Sequence, residues 1–451
     1  MSAVRDIPFS TAALPLTAPQ YGMWAAQQLD PASSAFWTAE AVELEGPLDI
    51  EALRTAIETT LTACDALHMR YWTLDDDDDV VQSPRPSRAV QLPLIDLRGH
   101  DDPARVAWNT MHADLRAPVD LDLHPLYATT LFRLDDQRHL WHLRSHHIAL
   151  DGFGYLLLIH RVAEVYSALR RGQPVPAGRD WSLQPLLAEE RAYRASPACA
   201  KDRAFWGDQL QHAPPPARLS SGEPDDGAPR SSRRRLPASD YPRWQAAARA
   251  CGVDWAAWLI ACIAAWMHAR GGHTEVTPGL LVMNRLGSVA LGVPCMAMNV
   301  VPLRLRVDAN QPFRELAAHV ATAMRAIRPH QRYNYEWMRI DHGLDGTHRQ
   351  FYGPVVNLLP FDRGFVFEGL HSRAHPVAVG PADDLDLTIS PLADSVRFDI
   401  EANAGLYDET TLRAHHDALL ALVAQAARAP DLRLADLLAQ ASVVAPVEAG
   451  A

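Results

Sequence analysis

His139-Leu140-Trp141-His142-Leu143-Arg144-Ser145-His146-His147-Ile148-Ala149-Leu150-Asp151-Gly152 is the stretch on which the fold turns. Its start, His139 to Ser145, reads as a strand, joined by the polar turn Asp135-Asp136-Gln137-Arg138 to another over Tyr127 to Leu134. From Gly152 the period becomes helical, with Leu156, Ile159, Ala163 and Tyr166 on one face, and it stops at Gly172. A strand therefore passes directly into a helix, and the reactive side chains gather at that passage. Successive strand residues face opposite sides, so His146 and His147 cannot both look into one cavity. Leu140, His142 and Arg144 share a face with His146, while Trp141, Leu143 and Ser145 share one with His147. The apolar character of the second set favours a semi-enclosed His147, neutral near pH 7. Asp151 is either a helix N-cap accepting a backbone N–H or a buried carboxylate paired with an arginine. Gly152 allows a close approach of backbone to ligand or a positive φ, and its amide stands at a helix N-terminus, where negative charge is stabilised. The bland alternative is a pair of satisfied histidines at a sheet edge. A metal site is disfavoured, because His142, His146 and Asp151 do not share a face with tetrahedral spacing, and no Gly-x-Ser-x-Gly elbow occurs.

Outward from this stretch, Thr17 and Gln20 form a capping-box pair that predicts a helix from Thr17, and Asp49 precedes an amphipathic helix through Ile50, Leu53, Ile57 and Leu61. The Asp75 to Asp79 run reads as a solvated hairpin loop, since burying five carboxylates would be costly. The Pro/Gly-containing segment from Gly172 to Pro185 marks a lobe boundary, followed by a helical stretch over Leu186 to Gln211. Pro214 to Pro237, rich in Pro, Ser, Gly and charge, reads as an exposed excursion. Helices are expected from Ser239, Asp254, Pro312 and Glu409, and strands over Leu280 to Met283, Val300 to Val307, Val355 to Leu359 and Val396 to Ala402. The alternation describes a mixed α/β protein of packed layers.

Composition narrows the function. The 451 residues carry a formal charge of -12, which argues against nucleic acid or an anionic membrane as partner. Lys201 is the sole lysine, so lysine-centred phosphate or Schiff-base chemistry has one candidate at most. Cys64, Cys199, Cys251, Cys262 and Cys295 are odd in number and never spaced Cys-x-x-Cys, which fits a reducing cytoplasm. Met1 to Pro15 lacks the features of a signal peptide, and the most apolar run, Trp255 to Met267, is shorter than the roughly 18 to 20 residues of a membrane span. It should be a buried helix.

His146 to Gly152 matches the His-His-x-x-x-Asp-Gly motif of the chloramphenicol acetyltransferase-like superfamily and of the condensation domains of nonribosomal peptide synthesis. Further stretches resemble condensation-domain motifs in the family's order: Leu16 to Gln20 with Met23-Trp24, Asp65 to Arg70, Asn284-Arg285, Asn299 to Arg304, His330 to Tyr333, and Tyr352 to Asn357. Arg285 to Ser288, His330 to Tyr333 and Gly380-Pro381 resemble the enterobactin-type subgroup, whose members open a serine-activating module. Two departures stand out: Cys295 where the family usually has glycine four residues before Asn299, and no aromatic-Asp-Tyr stretch near Leu186 to Glu190.

The resemblance implies an α/β (α+β) fold of two chloramphenicol-acetyltransferase-like lobes in a V-shaped pseudo-dimer, each a mixed sheet with flanking helices, residues 1–178 forming the motif-bearing lobe and 179–451 the other. It implies amide formation between a donor acyl thioester and an acceptor aminoacyl group, delivered on the phosphopantetheine arms of two carrier proteins through a tunnel. His147 and Gly152 would be catalytic, and His146, Asp151 and Arg285 structural, Asp151 pairing with Arg285. Gln20, Asn299 and Asn357 would line the tunnel. No metal and no bound cofactor are implied, and the expected protein is a cytoplasmic monomer, free-standing or excised from a larger enzyme. The alternatives are a coenzyme A-dependent acyltransferase of the same superfamily, an epimerisation domain and a degenerate carrier-docking scaffold.

Overall fold

A computed structural model describes residues 13–74, 79–85, 89–216, 219–220, 222, 224–225, 229–344, 350–359 and 364–443. The acidic run expected to be a hairpin loop lies, as far as residue 78, outside the described residues, as do residues 1–12. The chain divides into two compact units. The first takes Met1–Ser196, Met283–Met298 and Arg363–Gly380; the second takes Pro197–Val282, Asn299–Asp362 and Pro381–Ala451.

The first unit is built on a five-stranded sheet in the order His371–Val379, Trp37–Glu45, Arg138–His146, Tyr127–Arg133, Leu94–Asp96. Only the last pair is parallel. Every residue of Arg138–His146 is paired with Trp37–Glu45 in unbroken register, from Arg138 opposite Glu45 to His146 opposite Trp37. The period-2 pattern sends Trp141 and Leu143 into a core with Val42, Leu44 and Leu53. The other face, with Ala39, Ala41, Phe132 and Leu140, packs with Ala107 and Met111 of the helix Pro103–Asp114. The helix Gly152–Arg170 lies against Ile50–Thr62, and Tyr155, Leu158, Ile159, Val162 and Val165 are all buried. The helix Ala18–Leu29 has the expected capping box at Thr17 and Gln20, and Asp49 caps Ile50–Thr62 through Ala52.

The second unit carries a six-stranded sheet in the order Asn299–Pro302, Gly279–Val282, Val355–Leu358, Leu385–Pro391, Ser395–Ala402, Arg230–Pro237. The two pairs made by Val355–Leu358 are parallel and the others antiparallel. Trp255–Gly271 is the buried helix anticipated from its apolar run: Ala257 through Met267 are all buried, Asp254 caps its start and Gly272, at φ 69°, ends it in the left-handed region.

Three sequence expectations are corrected here. Pro214 to Pro237 is not wholly an excursion: Arg230–Pro237 is an edge strand pairing with Ser395–Ala402 along its full length. Its charged residues Arg233 and Arg235 hid a strand that buries Ser232. Leu186 to Gln211 is two helices, Gln184–Arg194 and Pro197–Leu210, because Ser196-Pro197 restarts the chain. Val300 to Val307 is likewise two short strands, Asn299–Pro302 and Leu305–Arg306, which belong to different sheets.

Candidate active site

The two histidines at the end of Arg138–His146 have different tasks. The N–H of Ile148 donates to His146 Nδ1 at 3.2 Å, so the proton of that ring sits on Nε2 and is donated to Gln27 Oε1 at 3.0 Å. Gln27 is itself fixed, its amide nitrogen donating to the carbonyls of Asp30 and Ser33. Fully buried and edge-on to Trp37, His146 is pushed down to about 3 by burial and by its neighbour His147. It is a neutral bracket with both nitrogens used.

His147 is held the opposite way. Its backbone N–H donates to Phe36 O at 2.8 Å, and its Nδ1 lies 2.8 Å from the carbonyl of Leu150. A carbonyl only accepts, so Nδ1 carries the proton and Nε2 keeps the lone pair. Among the described residues no group hydrogen-bonds to that Nε2. Burial lowers the ring below the ordinary imidazole range, with Leu150 O and the charge of Asp151 pulling partly back. The outcome is a neutral imidazole near pH 7 with one nitrogen ready to accept a proton.

Both readings of Asp151 are realised at once. Its Oδ1 accepts from Gly154 N at 2.8 Å, the N-cap bond of Gly152–Arg170. Its two oxygens also accept from Arg285 Nη2 at 2.7 and 2.9 Å, and Oδ2 accepts from the amides of Ala297 and Met298 at 3.1 and 3.0 Å. Arg285 is wholly buried, and its other bonds run to the carbonyls of Ala290, Val293 and Cys295. The pair thus fastens the segment Met283–Met298 beneath the motif. Gly154 makes this approach possible: a Cβ there would stand 3.0 Å from Leu150 Cδ2 and 3.3 Å from Cys295 O. Gly152 is the exposed first residue of its helix. It does not take the positive φ considered from sequence, since the preceding cap, not the glycine, makes the turn. Its amide belongs to the first helical turn, whose N–H groups lack intrahelical partners.

The tunnel candidates sit apart in the chain. Gln20 is buried and occupied, bonded to Thr17 N, Tyr71 Oη and Gln82. Asn299 donates to the carbonyls of Gln331 and Tyr333 and accepts from Tyr335 N, which braces the turn after His330. Asn357, half-buried on Val355–Leu358, lies 3.5 Å from Thr388 Oγ1. Sequence reasoning missed Gln27, Gly154 and the pair Thr38 and Tyr155, in which Tyr155 Oη donates to Thr38 O at 2.8 Å beside the end of the motif's strand. Gly154, two residues after Gly152 in a helix, was the one legible signal, because a helical glycine implies a close neighbour. Burial pushes the Cys64 and Cys295 thiols up to about 12, so neither is a nucleophile near neutral pH. Among the described residues no group of three or more His, Cys, Asp or Glu side chains is arranged to hold a metal ion, and no single helix is long and apolar enough to cross a membrane.

Residues 10–442 match the family model described as Condensation domain. The chain belongs to that family. Condensation domains of nonribosomal peptide synthetases are amide-forming acyltransferases that join carrier-bound substrates, and this chain is one of them. It is 37% identical over 99% of its length to a dimodular nonribosomal peptide synthase of Bacillus subtilis, of which it covers 18%. It is 40% identical over 94% to an isonitrile lipopeptide synthase of Streptomyces coeruleorubidus, covering 29%, and 34% identical over 94% to enterobactin synthase component F of Escherichia coli, covering 33%. The domain therefore spans about a fifth to a third of these curated relatives. The first condensation domain of the calcium-dependent antibiotic synthetase, solved with a substrate analogue, superposes with a TM-score of 0.86 at 32% identity over 95% of this chain and 99% of that one. The starter condensation domain of rhizomide synthetase, solved as a mutant with C8-CoA and Leu-SNAC, gives 0.86 at 29% identity over 94% and 96%. These matches bear out the mixed α/β, chloramphenicol-acetyltransferase-like fold.

Proposed function

We propose that His147 Nε2 is the proton acceptor when the α-amine of an acceptor aminoacyl group attacks a donor acyl thioester, both delivered on phosphopantetheine arms of carrier proteins. The amine nitrogen forms a bond to the thioester carbon, giving a tetrahedral oxyanion. Nε2 takes the proton that the new ammonium must lose. The oxyanion collapses, the C–S bond breaks, and the departing thiolate receives that proton from His147, which leaves an amide on the acceptor arm and a free thiol on the donor arm. The Leu150 carbonyl, anchoring Nδ1–H, is the observation that carries this reading, because it leaves the lone pair on the other nitrogen. A positioned base contributes typically ~10² to 10⁴ in rate. Thioesters are already activated, and holding the two arms end to end supplies up to ~7 to 11 kcal/mol of barrier reduction.

In this reading the Gly152 amide contacts the intermediate, and Asp151 with Arg285 holds the loop that aims His147. No cofactor is needed beyond the carriers' own arms. An aryl or acyl donor and an amino-acid acceptor follow from the resemblance of Arg285 to Ser288, His330 to Tyr333 and Gly380-Pro381 to the enterobactin-type subgroup, and a lipopeptide synthase among the relatives is in keeping with an acyl donor. A second reading, an acyl-coenzyme A donor, is supported by the rhizomide starter domain having been solved with C8-CoA. The test is incubation with two loaded carriers, or with one loaded acceptor carrier and acyl-coenzyme A, followed by intact-mass detection on each protein. Amide mass on the acceptor carrier is expected for the wild type and none for His147→Ala with an unchanged melting temperature. Turnover by that variant at the wild-type rate would remove His147 from the mechanism.

A further inference from the structure

His371–Val379 joins the motif's sheet as its edge strand, and its end arrives beside the reactive histidine. Val379 is paired with Thr38, which on its other side is paired with Ser145, so the three strands bring Gly380 level with the residues that precede His147. Gly380 has φ 110°, a conformation that side chains rarely adopt. A Cβ built there would stand 3.0 Å from His147 Cδ2, 3.5 Å from Nε2 and 3.7 Å from Thr38 Cγ2. Carbon atoms prefer about 3.5 to 4.0 Å, so the first contact is a clash that something must relieve.

Neither side can yield freely. The ring is tied through Nδ1 to Leu150 O. Thr38 donates from Oγ1 to Ser145 O at 3.0 Å, and its carbonyl accepts from Tyr155 Oη at 2.8 Å. A side chain at residue 380 would therefore stand over the Cδ2–Nε2 edge, the edge that carries the lone pair, or force the imidazole off its anchor.

We infer that Gly380 is a positioning residue for His147: its backbone walls the free edge of the imidazole, and its missing side chain leaves Nε2 open to the acceptor amine. This rests on Nε2 being the atom that takes the proton. It also explains why a segment from far along the chain belongs to the motif's own unit, because that segment completes the setting of the ring.

The experiment compares Gly380→Ala with Gly369→Ala in the full chain. Gly369 has φ 74° and open space around its missing Cβ, so alanine there carries the backbone strain without touching the ring. Two readouts are taken: steady-state amide formation, and labelling of His147 by diethyl pyrocarbonate, which acylates unprotonated imidazole nitrogen, located by peptide mass mapping. Gly380→Ala should lower kcat by ~10², with KM little changed, and should suppress labelling of His147 while other histidines label as before. Gly369→Ala should lower the melting temperature and leave both readouts at wild-type values. Should Gly380→Ala fail to fold, Gly380→Asn gives the same comparison, since asparagine tolerates positive φ better. Wild-type kcat and labelling in the Gly380 variant, or equal losses in the Gly369 variant, would overturn the inference. An active His147→Ala would sink the proton-transfer role instead, and the labelling comparison would still report whether Gly380 opens Nε2.

Discussion

Replacing Asp151 with alanine strips the motif of one carboxylate that serves four donors. Gly154 N, Ala297 N, Met298 N and the Arg285 guanidinium all lose their acceptor, and Arg285 has no solvent to turn to. An N-cap alone is worth ~1 kcal/mol. Leaving a buried charge unpaired costs about 3 to 5 kcal/mol, and this term dominates. Because the two contributions share one side chain they do not simply add, so the expected loss is about 3 to 5 kcal/mol. For a unit of a few hundred residues that is a fall in melting temperature on the order of 10 °C. Calorimetry at neutral pH reads it, and the two units make it advisable to follow each transition separately. The double variant Asp151→Ala, Arg285→Met removes both charges, so it should recover part of what the single variant loses. An Asp151→Ala protein that melts with the wild type, or a double variant showing the plain sum of the two single losses, would refute the assignment of Asp151 and Arg285 as a coupled, buried pair.

The depressed His147 predicts a pH–rate profile whose acid limb lies below the ordinary imidazole value of about 6.5, amide formation falling as the pH drops through the lowered pKa; stopped-flow or mass-based rates between pH 5 and 8 check it, and an acid limb centred at or above 6.5 would contradict it. His146 links pH to stability. Its folded pKa, about 3, lies below the ordinary imidazole value, so the unfolded chain binds more protons between those limits. Its contribution is therefore complete above about pH 6.5 and lost toward pH 3, up to about 5 kcal/mol. Melting curves of wild type and His146→Leu across that range should differ in slope, and identical slopes would show that His146 is not held neutral by the fold.

Local signals told most where local physics decides. The capping box of Thr17 and Gln20, the cap at Asp49 and the all-apolar face of Trp255–Gly271 each encode their own helix, and each formed as read. The hand-over from Ser145 to Gly152 was legible because a change of period marks it. What the sequence withheld depends on distant partners. Nothing in Trp37–Glu45 announces that it will lie between Arg138–His146 and a strand starting at His371, since pairing partners are not written into either strand. Arg230–Pro237 was obscured because an edge strand exposes charged side chains and so looks like a loop. In the site, motif spacing gave His147 and Asp151. The roles of Gln27, Thr38 and Gly380 follow only from three-dimensional adjacency, and the tautomers of the two histidines could be assigned only once Ile148 N and Leu150 O had been located.

The strand order of the first unit also sets a timetable for synthesis. Until His371–Val379 has left the ribosome, Trp37–Glu45 is an open edge of backbone donors and acceptors, and Asp151 waits for an arginine 134 positions downstream. At roughly 5 to 20 residues per second the wait for Arg285 lasts on the order of 10 s and the edge stays open for a few tens of seconds. A nascent chain exposing such an edge is a substrate for chaperones and for self-association. A product truncated between residues 170 and 371 would contain His147 but lack the strand that covers this edge and the glycine that packs against the imidazole.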